Sequence, residues 1–270
     1  MMVDLHCHVL PAIDDGSESL DQSLEFCRVA LADGVTTLVA TLHQKPGQFD
    51  NPPQAIHLKV LELQEALREA GIAVEIVEGA EVYCAPDLLQ RVKENQVTTI
   101  NAAGRYLLLE FPYQQYPLRS EETIFQLKLC GITPVLAHPE RIAFFTSDMK
   151  RLETLVRLGC LTQVTASAIL GGFGDRAKDF SFRMLQRGLV HIISSDAHDT
   201  VYRPPVLSKA RDAAAEVVGA ERAMALVSEV PRGDCDGREW EPWGLPPDPP
   251  PESQGLIERL RTTLRGRNPE

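Results

Sequence analysis

Apolar residues follow two alternating rhythms along this chain. Leu20, Leu24, Cys27 and Leu31 recur at helical spacing, as do Ile56, Val60, Leu63 and Leu67, so each set predicts one face of a helix. Short, nearly unbroken apolar runs follow such stretches, with a glycine at the junction: Ala32-Asp33-Gly34-Val35, Ala70-Gly71-Ile72, Cys130-Gly131-Ile132, Leu158-Gly159-Cys160 and Arg187-Gly188-Leu189. Glycine after a helix supplies a left-handed stop, and the apolar run behind it reads as a buried strand. Strands are expected near 3–6, 36–42, 73–79, 106–111, 133–137, 161–164 and 191–195. Ser19 with Gln22 reads as a capping box, and Ser120 before Glu121 and Glu122 as another helix start. Helix and strand in alternation imply an α/β fold with a mostly parallel sheet, and about seven strand–helix units are few enough to close it into a barrel.

The pattern stops after residue 228. Pro231, Pro242, Pro246, Pro247, Pro249, Pro250 and Pro251 leave little room for regular structure before Leu256. The expected organisation is a barrel over 1–228 and a proline-rich extension over 229–270, extended through 255 with a short helix at 256–265.

Composition narrows the function classes. With 270 residues, 44% of them hydrophobic, the chain can bury a core without staples. A formal net charge of −11 and the lack of a basic stripe argue against a nucleic-acid partner. It suits a protein whose carboxylates are partly neutralised by bound cations, and it also suits simple solubility. The six cysteines form no Cys-x-x-Cys pair and read mostly as buried apolar residues in a reducing compartment. No apolar run is long enough to span a membrane and no signal peptide is evident, so a cytoplasmic location is expected.

The histidines carry the chemical signal. His6 and His8 lie two apart on a predicted strand, so both rings project to one face and Cys7 to the other. His43, Glu81, Glu110, His138, Asp196 and His198 stand at or just after successive strand ends, which in a parallel barrel all meet at the C-terminal rim. Any one of them alone reads as a structural residue. Their repetition at strand ends is costly unless cations pair them, which points to a cluster of two or three metal ions.

Several motifs in order, Asp4-Leu5-His6-Cys7-His8, Asp14-Asp15-Gly16, Thr41-Leu42-His43, Gly79-Ala80-Glu81, Leu109-Glu110-Phe111, Ala137-His138-Pro139-Glu140-Arg141 and Ser195-Asp196-Ala197-His198, resemble those of the polymerase-and-histidinol-phosphatase (PHP) superfamily. Asp-Asp-Gly, Ala-His-Pro-Glu-Arg and Arg203-Pro204-Pro205 point to its bacterial manganese-dependent protein-tyrosine phosphatases of capsule and exopolysaccharide operons. The resemblance covers residues 2 to 228 and implies a distorted, TIM-like (β/α)7 barrel. It also implies three metal sites: His6, His8, Glu81 and Asp196; Glu81 again with Glu110 and His138; and Asp15, His43 and His198. Asp14, adjacent to Asp15, competes for its place, and Gln44 stands where relatives often carry a second histidine.

A nitrogen and oxygen donor set suits manganese, iron or zinc, and the resemblance favours manganese. The implied activity is hydrolysis of phosphotyrosine on protein, such as the tail of a bacterial tyrosine kinase that regulates polysaccharide synthesis, with a metal-bridging hydroxide as nucleophile. Arg141 and Arg203 are candidate phosphate clamps, since guanidinium binds phosphate bidentately. A cysteine-dependent mechanism is excluded, because no cysteine has an arginine six residues later. A small phosphate monoester such as histidinol phosphate remains open as substrate, and nuclease and non-enzymatic readings are disfavoured by the acidity and by the complete donor set. His57 and His191 fall outside the pattern and read as structural or solvent-facing.

Overall fold

The seven expected strands form one sheet in chain order, every neighbouring pair parallel. In the computed structural model, which describes residues 1–238, they are β1 (Met2–Cys7), β2 (Val35–Gln44), β3 (Glu75–Tyr83), β4 (Tyr106–Glu110), β5 (Thr133–Ala137), β6 (Leu161–Thr165) and β7 (Ile192–Ser194). The sheet nearly closes. A parallel bridge joins Cys7 to Ala197, Asp196 N–H donates to the His6 carbonyl at 2.8 Å, and His8 N–H donates to the Ala197 carbonyl at 2.9 Å. The five glycines expected to stop helices all have positive φ, from 65° at Gly71 to 92° at Gly159. The alternation that predicted the barrel therefore rests on the backbone conformation anticipated for it.

Two cores result. Val3, Leu5, Val39, Val77, Leu108, Val135, Leu161 and Ile192, drawn from all seven strands, fill the barrel interior. A larger cluster packs the outer faces of the strands against the helices. Ile56, Val60, Leu63 and Leu67 of the helix Pro53–Glu69 are all buried there as predicted. The helix Leu20–Ala32 instead buries Ser23, Phe26, Cys27 and Ala30, and Leu20, Leu24 and Leu31 sit partly covered at the edge of that stripe. Its cap is half of the predicted box. Ser19 Oγ accepts from Gln22 N–H, but the Gln22 carboxamide accepts from Glu18 N–H, one residue before the cap. Ser120 is the first residue of its helix, not the cap, and its hydroxyl donates to the Pro117 carbonyl at 2.6 Å.

The proline-rich segment departs from expectation at its start. Residues Glu229–Cys235 form a helix, not an extended strand. Pro231 is its third residue, within the first turn, where backbone N–H groups have no intrahelical acceptor and a missing one costs nothing. Val230 and Cys235 join the barrel-interior core with Ile100, so this helix and the turn Ile100–Ala102 cover the N-terminal mouth. Asn101 Nδ2 donates to the Cys235 carbonyl at 3.0 Å and ties the two together. A boundary after residue 228 would cut through this plug; the remaining extension and the helix expected at 256–265 lie outside the described residues. Five of the six cysteines are buried as expected, and Cys130 is exposed. Among the described residues, no helix is long and apolar enough to cross a membrane.

Candidate metal centre

Strand phase delivers the candidate ligands. On β2, β3, β4 and β7 the interior residue lower in the barrel and the candidate ligand above it are an even number apart: Val39 and His43, Val77 and Glu81, Leu108 and Glu110, Ile192 and Asp196. The same side of each strand is thus apolar below and ionisable at the rim. On β1, Val3 and Leu5 face in, yet so do His6 and His8. A register shift resolves this: Asp4 to Cys7 spans three residues on β1 opposite two on β2, Leu38 to Ala40. This bulge adds one residue and changes the strand's phase. Cys7 then packs in the outer core, as predicted, with its thiol donating to the Val39 carbonyl at 3.3 Å.

The predicted residues converge. His6 Nε2 lies 3.5 Å from Glu81 Oε2 and 3.3 Å from Asp196 Oδ1. His8 Nε2 is 3.7 Å and 3.5 Å from the same two oxygens. His138 Nε2 is 2.8 Å from Glu81 Oε1. Asp15 Oδ1 is 3.5 Å from His43 Nε2 and 3.4 Å from His198 Nε2. Three sets of donor atoms are each close enough to share an ion: His8, Asp15, His43 and His198; His6, His8 and Glu81; and His43, Glu81 and Glu110. These overlap the expected groupings without repeating them. Asp196 and His138 stand in none of the three, yet both border them: Asp196 Oδ1 faces His6 and His8 while its Oδ2 meets Arg141 and Arg203, and His138 Nε2 meets Glu81.

The structure separates Asp14 from Asp15. Asp14 is buried, and its Oδ2 contacts His8 Nδ1 at 2.7 Å and accepts from His43 N–H at 3.1 Å. Asp15, with 53% of its side chain exposed, faces His43 and His198 from above. Gly16 completes the loop because a side chain there would collide with the His8 carbonyl oxygen, 2.1 Å from an ideal Cβ. His138 and Asp196 both adopt left-handed backbone, with φ of 35° and 51°. Such conformations in non-glycine residues need support from their surroundings and are common at functional sites.

Electrostatics show why the cluster accepts cations. Burial alone would push Glu81 and Asp196 up, but the histidines around them, His6 foremost, hold both well below the usual carboxylate range. Burial disfavours the charged rings of His6 and His8, yet Glu81 raises the first and Asp14 the second. His138 is pushed down by burial and by Arg141. Glu110 rises to about 7, by burial and then by the charge of Glu81. Its Oε2 and His138 Nδ1 are buried without a hydrogen-bond partner. Converging imidazole nitrogens beside an unpartnered buried carboxylate, with no thiolate among them, are the donor set that a divalent cation such as manganese, iron or zinc satisfies.

Arg141 and Arg203 meet at one point. Nη1 of Arg141 donates to Asp196 Oδ2, and Nη2 of Arg203 donates to the same oxygen at 2.6 Å. Arg141 also donates to the Tyr113 hydroxyl at 3.0 Å, and the Phe173 ring lies 4.3 Å from its guanidinium carbon. A cavity of about 200 Å³ opens over these groups, and Lys45, Phe49 and Tyr113 line it along with the candidate ligands. Phe49 stacks on His43 and Tyr113 on His138, with centroids 5.2 Å and 5.7 Å apart. Sequence reasoning missed Lys45, Phe49, Tyr113 and Phe173, since lone aromatics and a lone lysine carry no spacing signal. His57 pairs with Glu78 at 2.8 Å on the surface, and His191 is buried, as read from the sequence.

A parallel α/β barrel that gathers imidazoles and carboxylates at its C-terminal mouth has the architecture of metal-dependent hydrolases. The lactonase Lmo2620 from Listeria monocytogenes shares that fold, with a TM-score of 0.53 at 14% identity over 89% of this chain and 95% of that one. The chain belongs to the capsular polysaccharide synthesis CpsB/CapC family, whose sequence profile matches residues 2–233. It is 34% identical over 202 residues to the tyrosine-protein phosphatase YwqE of Bacillus subtilis (strain 168), covering 75% of this chain and 79% of that protein. It is 32% identical over 236 residues to the tyrosine-protein phosphatase CpsB of Streptococcus pneumoniae, covering 86% and 97%. A crystal structure from work on YwqE and CpsB, described as unique metal-dependent tyrosine phosphatases, matches with a TM-score of 0.87 at 30% identity, over 92% of this chain and 100% of that one.

Proposed function

We propose that this chain is a metal-dependent protein-tyrosine phosphatase that acts in the cytoplasm on phosphotyrosine in the tail of a bacterial tyrosine kinase controlling polysaccharide synthesis. The observation that carries the reading is the position of Asp196. Its Oδ1 faces the Nε2 atoms of His6 and His8, while its Oδ2 is held by Arg141 and Arg203. This pairing of two guanidinium groups beside the donor cluster supports an oxyanion site there, one carboxylate away.

His6, His8, Glu81 and Asp196, then Glu110 and His138, then Asp15, His43 and His198 would hold two or three divalent cations, manganese by preference. Such ions supply a hydroxide nucleophile near neutral pH and neutralise phosphoryl oxygens. The protein's own side chains do the remaining work. Arg141 and Arg203 present converging donors that a phosphoryl group can take over from Asp196 Oδ2, and their charges oppose the negative charge that grows in the transition state. Tyr113 and Phe173 hold the Arg141 guanidinium in place. Phe49 and Tyr113 give the cavity aromatic walls for a phenyl ring. A phenolate leaving group, with a pKa of about 10, needs less help from protonation than an alkoxide would.

The test is turnover by purified protein on a phosphotyrosine peptide and on histidinol phosphate, with and without chelator. The expected result is peptide hydrolysis that chelation abolishes and manganese restores. Activity in metal-free protein, or preference for histidinol phosphate, would overturn the reading.

A further inference from the structure

Gln163 stands on β6 at the level of the candidate ligands, an even step above the interior residue Leu161, and it is fully buried. It has no ionisable group, so nothing in its chemistry marks it. Its Oε1 nonetheless meets two elements of the centre: ring Nδ1 of His6 at 3.0 Å and the backbone N–H of His138 at 3.3 Å.

The second contact decides the first. A main-chain N–H only donates, so the amide atom facing His138 must be the oxygen. The same oxygen faces His6 Nδ1, which must therefore carry a proton. A neutral imidazole has one proton, so His6 Nε2 is left with a lone pair. That nitrogen is the one aimed at Glu81 and Asp196. Gln163 Nε2 is itself buried without a hydrogen-bond partner. The position thus uses its acceptor twice and its donor not at all.

We infer that Gln163 is a positioning residue that locks His6 in the Nδ1–H tautomer and braces the left-handed backbone of His138, setting donors from β1 and β5 before any ion arrives. His8 reaches the same tautomer through a carboxylate, Asp14. The two neighbouring histidines therefore differ: Asp14 adds negative charge behind His8, and Gln163 orients His6 without adding any. A fourth carboxylate this close to Glu81, Glu110 and Asp196 would raise the repulsion among buried acids, and an amide avoids it.

The inference rests on reading His6 as a metal ligand, and its test keeps the two apart. In metal-free full-length protein at alkaline pH, ¹⁵N shifts of the His6 ring should show Nδ1–H and a bare Nε2. The opposite tautomer in the wild type would overturn the proposal without any variant. Gln163→Met, close in shape but without an acceptor, should give mixed tautomers and bind Mn²⁺ roughly tenfold to a hundredfold more weakly by calorimetry. Gln163→Glu, which keeps the acceptor, should retain the wild-type tautomer and lie within several-fold in affinity. If the wild type binds no Mn²⁺, the ligand reading fails. If it binds Mn²⁺ and Gln163→Met matches it in both affinity and tautomer, the positioning role fails. Should Gln163→Met not fold, loss of the tautomer in Gln163→Glu would overturn the proposal by itself.

Discussion

Towards the N-terminal mouth of the barrel, Val3, Leu5, Val77 and Ile192 share one apolar cluster with Val230 and Cys235, and no ionisable side chain belongs to that cluster apart from Cys235 and Tyr106. A few residues further along the same strands, at the C-terminal mouth, His6, Glu81, Glu110 and Asp196 crowd together at comparable burial. One end gains free energy from removal from water. The other buries ionisable groups at a cost that opposite charge around them must offset. The sheet is the same at both ends, so the contrast separates what folds this chain from what makes it act.

The contrast is tested most severely by Glu81, which contacts His6, His8, His43 and His138. Glu81→Ala should lose metal by elemental analysis and lower kcat/KM on a phosphotyrosine peptide roughly a thousandfold or more. Its manganese-induced rise in Tm should vanish with it. Arg141→Ala and Arg203→Ala should keep the metal and lose roughly tenfold to a thousandfold in kcat/KM, since they remove transition-state stabilisation alone. Metal loss in these variants would show that they build the cage and do not clamp substrate.

The lower part of the barrel should respond in stability and not in chemistry. Burial, then Arg222, pushes buried His191 down to about 4 from an ordinary value of 6.5, and its Nδ1 accepts from Thr162 N–H at 3.1 Å. Because the folded value lies below the unfolded one, the unfolded chain binds the proton first as pH falls. Stability is complete above about 6.5 and drains away towards 4, by about 3 kcal/mol at most. Denaturant titrations should show His191→Gln with a shallower acid slope than the wild type over that window; equal slopes would refute the assignment. Val230→Ala should cost about 1–2 kcal/mol by opening space under the plug, with activity per folded molecule unchanged. A parallel fall in kcat would mean that the two mouths are coupled.

The sequence showed the barrel clearly because its signals are local. Five glycine joints and the short apolar runs needed no tertiary information, and the ionisable side chains at strand ends announced themselves by cost. What stayed hidden depends on three-dimensional neighbours. Gln163 is an ordinary amide until the His138 N–H is seen beside it. Asp14 and Asp15 are equivalent in sequence and are told apart only by which histidine atom each meets. Pro231 looked like a barrier to helix because its place in a first turn was unknown.

The extra residue in β1 also governs how this strand tolerates insertion and deletion. It lets one strand supply two consecutive inward side chains, Leu5 to the apolar layer and His6 to the rim. Losing the codon for Leu5 would straighten the ladder and leave His6 and His8 in phase with each other, at the expense of one core side chain. Losing the codon for Cys7, two positions on, would make the two histidines adjacent and send them to opposite faces of the strand. Two deletions of equal size, almost at the same place, would thus give a slightly looser barrel in one lineage and a chemically silent one in the other.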